Sequence, residues 1–111
     1  MEGKVVIVTS DTLGKGDDRL GEMLMASFLR TLGDNETKPA QMIFVNGGVR
    51  LVCEGSRVLE HVKRLAAAGT EVLACTTCLE YYDIVDKLQV GEPTSMPKTV
   101  AALMDGEVVT I

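Results

Sequence analysis

A chain of 111 residues with 46% hydrophobic residues is long enough for one domain with a modest core, and too apolar to be disordered. Its net charge of −5 and aromatic content of 4% argue against partners such as nucleic acid or an anionic membrane surface. The sequence contains no apolar run of about 18 residues and no signal-peptide pattern, so we expect neither a membrane span nor export. Its three cysteines do not suggest a disulfide framework. We therefore expect a single cytoplasmic domain, 1–111, with reduced thiols.

Apolar, β-branched runs alternate along the chain with helical patterns of apolar residues at three- and four-residue spacing. Because strands that alternate with helices form mostly parallel sheets covered on both faces, the pattern predicts a three-layer α/β sandwich with about five strands. In the first half of the chain we expect a strand at Lys4–Ser10, a helix capped by Asp17 or Asp18 and ended by Gly33, a strand at Gln41–Val45 and an undecided segment at Val49–Cys53. A helix from Ser56 to Gly69, a strand at Thr70–Cys75, a helix at Leu79–Tyr82 and a short turn at Ile84–Leu88 should follow. The chain should end with a loop that holds a short strand at Val90–Thr94, a helix that begins at Ser95 or Met96 with Pro97 in its first turn, and a strand at Glu107–Ile111.

Three of the predicted loops follow strand ends and should meet at one edge of the sheet. They are Ser10–Gly16, Asn46–Val49 and Cys75–Cys78, and we call them the rim loops. In open parallel sheets the functional crevice lies beyond the carboxyl ends of the strands. The rim loops are therefore the first place to look for chemistry.

The third rim loop, Cys75-Thr76-Thr77-Cys78, carries the most informative motif of the chain. A C-x-x-C turn between a strand and a helix favours the thiolate, because helix N–H groups and the helix dipole stabilise negative charge there. Zinc would need a second ligand pair, and neither Cys53 nor His61 has the required spacing. We therefore expect no metal and no cofactor. The alternative is that both cysteines are small core residues.

The other two rim loops offer candidate binding residues. Thr12 and Lys15 lie in a glycine-containing loop between a strand and a helix, although Asp17 and Asp18 disfavour a phosphate there. A capped tight turn is the simpler interpretation of that loop, and a pocket facing the thiols is the functional one. The run Asn46-Gly47-Gly48 could present backbone N–H groups to an anion, or it could be a turn with positive φ.

Several residues have plainer interpretations. Cys53 is expected to be a half-buried apolar residue, and His61 to lie on the solvated face of its helix. The paired tyrosines Tyr81 and Tyr82 should pack at an interface or wall the pocket. The methionines are expected to fill the core, and those considered are Met23, Met25, Met42, Met96 and Met104.

Four segments in order resemble the DsrE/DsrF-like sulfur-relay domains, and most of all the carboxy-terminal domain of YedF-type proteins linked to selenium metabolism. The resemblance covers nearly the whole chain. The segments are 10–21 (SDTLGKGDDRLG), 44–51 (FVNGGVRL), 75–82 (CTTCLEYY) and 90–96 (VGEPTSM).

The resemblance implies a DsrE-like α/β sandwich that assembles into trimers or hexamers. It also implies that Cys75 carries a persulfide, with Cys78 as its partner. YedF-type proteins usually carry a TusA-like domain with its own Cys-Pro motif, which this sequence lacks. We therefore expect a stand-alone form that exchanges sulfur with a separate donor or acceptor protein, for example a TusA-like one.

Three functions remain open from the sequence. The first is a sulfurtransferase-like carrier, in which Cys75 accepts sulfur and Cys78 resolves the persulfide. The second is a non-catalytic oligomeric scaffold or ligand-binding module that uses the rim loops. The third is a dithiol redox switch, which would form a reversible disulfide and bind no sulfur.

Overall fold

The computed structural model describes residues 2–111, which form a five-stranded sheet with helices on both faces. The elements are β1 (Glu2–Val8), α1 (Asp18–Asp34), β2 (Pro39–Phe44), a 3₁₀ helix (Asn46–Val52), α2 (Leu59–Ala67), β3 (Glu71–Cys75), α3 (Thr76–Tyr81), a second 3₁₀ helix (Val85–Lys87), β4 (Glu92–Thr94), α4 (Met96–Asp105) and β5 (Glu107–Thr110).

All neighbouring strands of the sheet run parallel, in the order β4-β3-β2-β1-β5. The predicted α/β sandwich with a parallel sheet of about five strands is therefore confirmed. The register pairs Val8 with Phe44, Phe44 with Ala74, and Cys75 with Thr94. Because these strand ends are level, the loops that follow β1, β2 and β3 start from the same edge of the sheet.

The main core lies between one face of the sheet and the helices α1 and α2. Period-two alternation directs Val8, Phe44 and Ala74 to this face, where they are buried with helix residues such as Leu29 and Leu65. Burying one such large side chain contributes about 1.5–3 kcal/mol. The opposite face buries Val5 and Ile43 outside this cluster. Its helix α4 is packed loosely, with Thr99 as its buried residue.

Two helix starts follow the capping rules that the sequence indicated. The Asp17 carboxylate accepts a hydrogen bond from the Leu20 N–H at 2.9 Å, and the Ser95 hydroxyl accepts one from the Lys98 N–H at 3.4 Å. Pro97 lies in the first turn of α4, where its missing N–H costs nothing. Caps of this kind contribute about 1 kcal/mol each.

Other boundaries differ from those expected, each for a local reason. The helix expected from Ser56 begins at Leu59, because the Ser56 hydroxyl accepts the Val58 N–H at 3.2 Å and holds a turn. Most of the undecided segment belongs to the 3₁₀ helix Asn46–Val52, and Cys53 follows that helix in an extended conformation. The short strand expected within Val90–Thr94 is confirmed as β4, where Pro93 is tolerated because β4 is an edge strand.

The burial of some single residues also differs from expectation. Cys53 is fully buried rather than half-buried. Met23, Met96 and Met104 are exposed, so the expectation that they fill the core was wrong for these three. In the part of the chain described here, no helix combines the length and apolar character needed to cross a membrane.

Candidate functional site

Cys75 and Cys78 lie side by side where β3 passes into α3. Cys75 is the last residue of β3 and the N-cap of α3, and its Sγ accepts a hydrogen bond from the Cys78 N–H at 3.4 Å. A sulfur atom thus takes the place that a Ser or Asp oxygen usually fills at this position. Both cysteines are free thiols. The backbone of Cys78 is therefore held beside the Cys75 sulfur.

The two thiols differ in their access to solvent. Cys75 is 6% exposed and belongs to the core, whereas Cys78 is half-buried. A reagent arriving from solvent therefore meets Cys78 first.

The Cys78 sulfur contacts the second rim loop as well as Cys75. Its Sγ accepts a hydrogen bond from the backbone N–H of Asn46 at 3.1 Å. Asn46 has a φ of 51°, in the left-handed region that asparagine tolerates better than most residues. The structure therefore brings two of the three rim loops together at one sulfur atom.

Several influences act in opposite directions on the pKa of the Cys78 thiol, and their net effect is to raise it. Burial raises the pKa most, and the hydrogen bond with Cys75 raises it further, while the Asn46 N–H lowers it. This direction is opposite to the one expected for a thiol at a helix N-terminus. α3 has only six residues, so its dipole is small. The Cys78 thiol is therefore mainly protonated near neutral pH.

Tyr82 connects the thiol pair to the first rim loop. Its hydroxyl donates a hydrogen bond to the Asn46 side-chain oxygen at 2.7 Å. The Arg50 guanidinium lies 4.3 Å from the centre of the Tyr82 ring and 3.8 Å from the Asp11 carboxylate. A continuous set of contacts therefore runs from Asp11 to the Cys78 sulfur.

A groove of about 790 Å³ lies on the other side of this set of contacts. Asp11, Arg50 and Tyr82 line both the groove and the contacts that lead to the thiols, but neither Cys75 nor Cys78 lines the groove. Its remaining lining comes from α1, from the segment that precedes α2 and from one residue after α3, and consists of Arg19, Glu22, Met23, Met25, Ala26, Leu51, Cys53, Glu54, Gly55, Ser56, Arg57, Val58 and Ile84. Its walls carry three arginines and three acidic residues, so the groove has no net charge.

Of the five predicted binding residues, Asn46 alone contacts a thiol. Thr12 uses its N–H and its hydroxyl within its own loop, each 3.1 Å from the Ser10 hydroxyl. Lys15 is exposed, and within residues 2–111 it forms no ion pair. This local bonding supports the simpler interpretation of the first rim loop as a tight turn.

The two glycines after Asn46 serve the packing of the rim. A Cβ atom on Gly48 would lie 2.4 Å from the Val8 carbonyl oxygen, and one on Gly47 would lie 3.7 Å from the Asp11 nitrogen. Neither glycine has a positive φ. Gly48 therefore allows close approach to the end of β1, Gly47 leaves ordinary van der Waals space, and the positive φ of the turn belongs to Asn46.

The sequence indicated nothing about Arg50, and it gave Tyr82 only a general role beside a pocket. Arg50 and Tyr82 are 32 positions apart, and their contact depends on how the 3₁₀ helix packs against α3. The one local signal that the sequence gives for these contacts is Asn46 before two glycines, because asparagine in such a turn suits a positive φ. Within residues 2–111, no group of three or more His, Cys, Asp or Glu side chains is arranged to hold a metal ion.

Known proteins resemble this chain in structure rather than in sequence. No protein-family model matches it, and no curated protein sequence does. The protein of unknown function MTH1491 from Methanobacterium thermoautotrophicum has a TM-score of 0.70 and 21% identity, over 97% of this chain and 98% of its own. The ychN protein from E. coli has a TM-score of 0.75 and 15% identity, with 100% of both chains covered.

A third solved structure, the conserved protein of unknown function BT1422 from Bacteroides thetaiotaomicron, has a TM-score of 0.64 and 14% identity, over 98% of this chain and 95% of its own. All three identities are below 25%, so the likeness concerns the fold and not the chemistry. The chain has the DsrE/ychN fold.

Proposed function

We propose that this protein carries sulfane sulfur as a persulfide on the Cys75–Cys78 pair. The observation that carries the proposal is that a half-buried thiol residue, Cys78, lies beside a second one, Cys75, whose sulfur accepts the Cys78 backbone N–H, at the carboxyl edge of a parallel sheet. The DsrE-like fold and the C-x-x-C motif at the strand-to-helix turn support it.

The exposure of the two thiols favours Cys78 as the residue that accepts sulfur. Its thiolate attacks the outer sulfur of a donor persulfide, the donor S–S bond breaks, and the donor leaves as a thiolate. The Cys75 thiolate can then attack the inner sulfur of the Cys78 persulfide, which releases hydrosulfide and forms a Cys75–Cys78 disulfide. An external thiol reductant restores the dithiol. The order expected from the sequence, with Cys75 as the acceptor, stays a prediction, and burial of Cys75 argues against it.

Persulfide loading resolved by residue tests this function. The folded protein is incubated with glutathione persulfide and alkylated, and the peptides are analysed by mass spectrometry. We expect one added sulfur on Cys78, removable by reductant, and no loading in Cys78→Ala. In Cys75→Ala the Cys78 persulfide should persist longer, because the attacking thiol is missing.

Cys53→Ala is the matched control, because Cys53 is buried and its thiol donates to the Ile84 carbonyl at 3.9 Å, so its loss should not change loading. Loading lost in Cys75→Ala but kept in Cys78→Ala would restore the order expected from the sequence. Loading that survives replacement of both cysteines contradicts a carrier function. A reversible disulfide without any added sulfur would identify a dithiol redox switch instead. A selenium-bearing donor, tested in the same way, examines the link to selenium metabolism.

A ligand-binding module is the second candidate, and the groove of about 790 Å³ beside Tyr82 favours it. Such a module would work without the thiols. Small molecules that shift NMR signals of Arg50 and Tyr82 equally in the parent protein and in a Cys75→Ala/Cys78→Ala variant would support it.

We also propose that the protein acts in the cytoplasm as a homo-oligomer that exchanges sulfur with a partner protein, of which a TusA-like protein is an example. The three free thiols support a reducing compartment. Exposed apolar residues on α4 and β5 support self-association, because large exposed apolar patches are typical of interaction sites. This patch consists of Met96, Val100, Met104 and Val108, and we call it the α4–β5 patch.

A further inference from the structure

We propose that Tyr82 is a positioning residue for the thiol pair: through Asn46 it holds a backbone N–H against the Cys78 sulfur and so stabilises the thiolate of Cys78. The biological purpose of this arrangement rests on the proposed sulfur-carrier function. The contacts that carry the inference do not depend on that function.

The first step is the hydrogen bond between the Asn46 N–H and the Cys78 sulfur, at 3.1 Å. A hydrogen bond to an ionised acceptor is stronger than one to a neutral acceptor, so this N–H favours the thiolate over the thiol. Asn46 makes this hydrogen bond with a φ of 51°. An asparagine in this region is strained and needs support from its surroundings.

The second step is the support that Tyr82 gives to Asn46. The Tyr82 hydroxyl donates to the Asn46 side-chain oxygen at 2.7 Å. Cys78 and Tyr82 are four residues apart at the two ends of one helical turn, and therefore face the same side. One side of this turn thus presents both the sulfur atom and the group that anchors its hydrogen-bond donor.

The third step is the support that the Tyr82 ring itself receives. Arg50 lies over the ring at 4.3 Å, and the Asp11 carboxylate lies 3.8 Å from Arg50. Asn46 and Arg50 belong to the same 3₁₀ helix. Tyr82 is therefore held by Asn46 and Arg50 of the same 3₁₀ helix, and these contacts fix the distance between that helix and α3.

Cys75 is a titratable group beside Cys78, and its Sγ accepts the Cys78 backbone N–H at 3.4 Å. Its ionisation would oppose that of Cys78 through like-charge repulsion. Arg50 reaches the site only through the Tyr82 ring. The remaining charged groups on α3 and on the elements packed against it are exposed, namely Glu71, Glu80, Asp86 and Lys87. A change in the ionisation of Cys78 after a substitution at Tyr82 therefore reports on Asn46.

The test is the pH dependence of Cys78 alkylation by iodoacetamide in Tyr82→Phe. This substitution keeps the ring under Arg50 and removes only the hydroxyl. Because one pKa unit corresponds to a tenfold change in thiolate at neutral pH, we expect alkylation about three- to tenfold slower near pH 7 and a profile moved to higher pH. Tyr81→Phe is the matched control, because Tyr81 is 84% exposed and should leave the profile unchanged.

A second variant separates positioning from a general loss of structure. Asn46→Gly keeps the N–H, and glycine adopts a φ of 51° without a side chain to anchor. In this background, adding Tyr82→Phe should have no further effect on the profile. An unchanged profile in Tyr82→Phe, or an equal effect of Tyr82→Phe with and without Asn46→Gly, would overturn the inference. Circular dichroism confirms that each variant is folded.

Alkylation needs no sulfur donor, so the inference and the proposed function can fail separately. A shifted profile in a protein that never loads sulfur would sink the carrier function and leave the role of Tyr82 intact. Normal sulfur loading with an unshifted alkylation profile would support the carrier function and overturn the role of Tyr82.

Discussion

The turn after β2 approaches the end of β1 so closely that only glycine fits at one position. A Cβ on Gly48 would lie 2.4 Å from the Val8 carbonyl oxygen, and that oxygen also accepts the Val45 N–H at 2.9 Å. The neighbouring Gly47 leaves ordinary van der Waals space. Gly48 therefore sets the distance between the first two rim loops.

Replacing Gly48 with alanine should destabilise the protein by about 1–3 kcal/mol, because the backbone would have to move to relieve the clash. Gly47→Ala should change stability by no more than about 0.5 kcal/mol. Urea unfolding of both variants measures the difference. Equal stabilities would contradict the close approach seen at Gly48.

At this scale the sequence predicts some of the site and not the rest. The Cys75–Cys78 pair and Asn46 are predictable, because each follows a recognisable strand and the sheet brings strand ends together. The set of contacts through Arg50 and Tyr82 is not, since it joins residues far apart in the chain through side-chain packing. Burial decides which thiol faces solvent, and the spacing of a motif does not report burial.

Helices α1 and α2 are joined at one end by an exposed ion pair. The Arg64 guanidinium in α2 lies 2.7 Å from the Asp34 carboxylate at the end of α1. The hydrogen bond and the charge of Arg64 lower the pKa of Asp34. The pair therefore stabilises the folded state only while Asp34 is ionised.

Because the pKa of Asp34 is lower in the folded state, its contribution to stability is fully present above the unfolded pKa of about 4. The contribution is lost as the pH falls through the folded value. We expect Asp34→Asn to unfold at a lower temperature than the parent protein at pH 7, with the gap closing under acid or in high salt. Thermal unfolding from about pH 2.5 to 7 measures this.

Glu60→Gln is the control for Asp34→Asn, since Glu60 pairs with Lys63 at 3.8 Å within a single helix and ties no two elements together. It should have a smaller effect at every pH. A gap between Asp34→Asn and the parent that widens under acid would contradict the assignment.

Element boundaries show where local rules are sufficient. Asp17 and Ser95 cap helices as their side chains predict, because capping uses groups only three residues apart. The late start of α2 has a local cause that is harder to recognise, since Ser56 can begin a helix or hold a turn. The strand β4 depends on a pairing with β3 that its own three residues do not specify.

The helices cover the two faces of the sheet unequally. The face under α1 and α2 contains the main core, while α4 covers the other face loosely and β5 is exposed along its length. The alternation of elements predicts helices on both faces. It does not predict how well each face is covered, which is why the exposure of Met104 could not be foreseen.

If the α4–β5 patch is where copies of the chain associate, Met104→Glu should lower the molecular mass measured by light scattering. Met104 is 77% exposed, so the substitution should leave the fold intact. Hydrogen exchange should then be faster in α4 and β5 of the variant, with β2 the slowest in both proteins.

Met23→Glu is the matched control, because Met23 is another exposed methionine but lines the groove on the opposite side of the sheet. Its mass should equal that of the parent protein. A parent protein that elutes as a monomer at every concentration would contradict the association.

Ile111 leaves the sheet at the same edge as the thiols. Its N–H donates to the Ile7 carbonyl at 2.9 Å, and its own carbonyl accepts both the N–H and the hydroxyl of Thr9. β5 is three strands from β3, which is about 14 Å at the usual strand spacing. Whatever is joined to Ile111, a purification handle or another protein, is therefore delivered to the edge of the sheet that carries the thiols, so handles belong at the other terminus and a tethered sulfur donor belongs at this one.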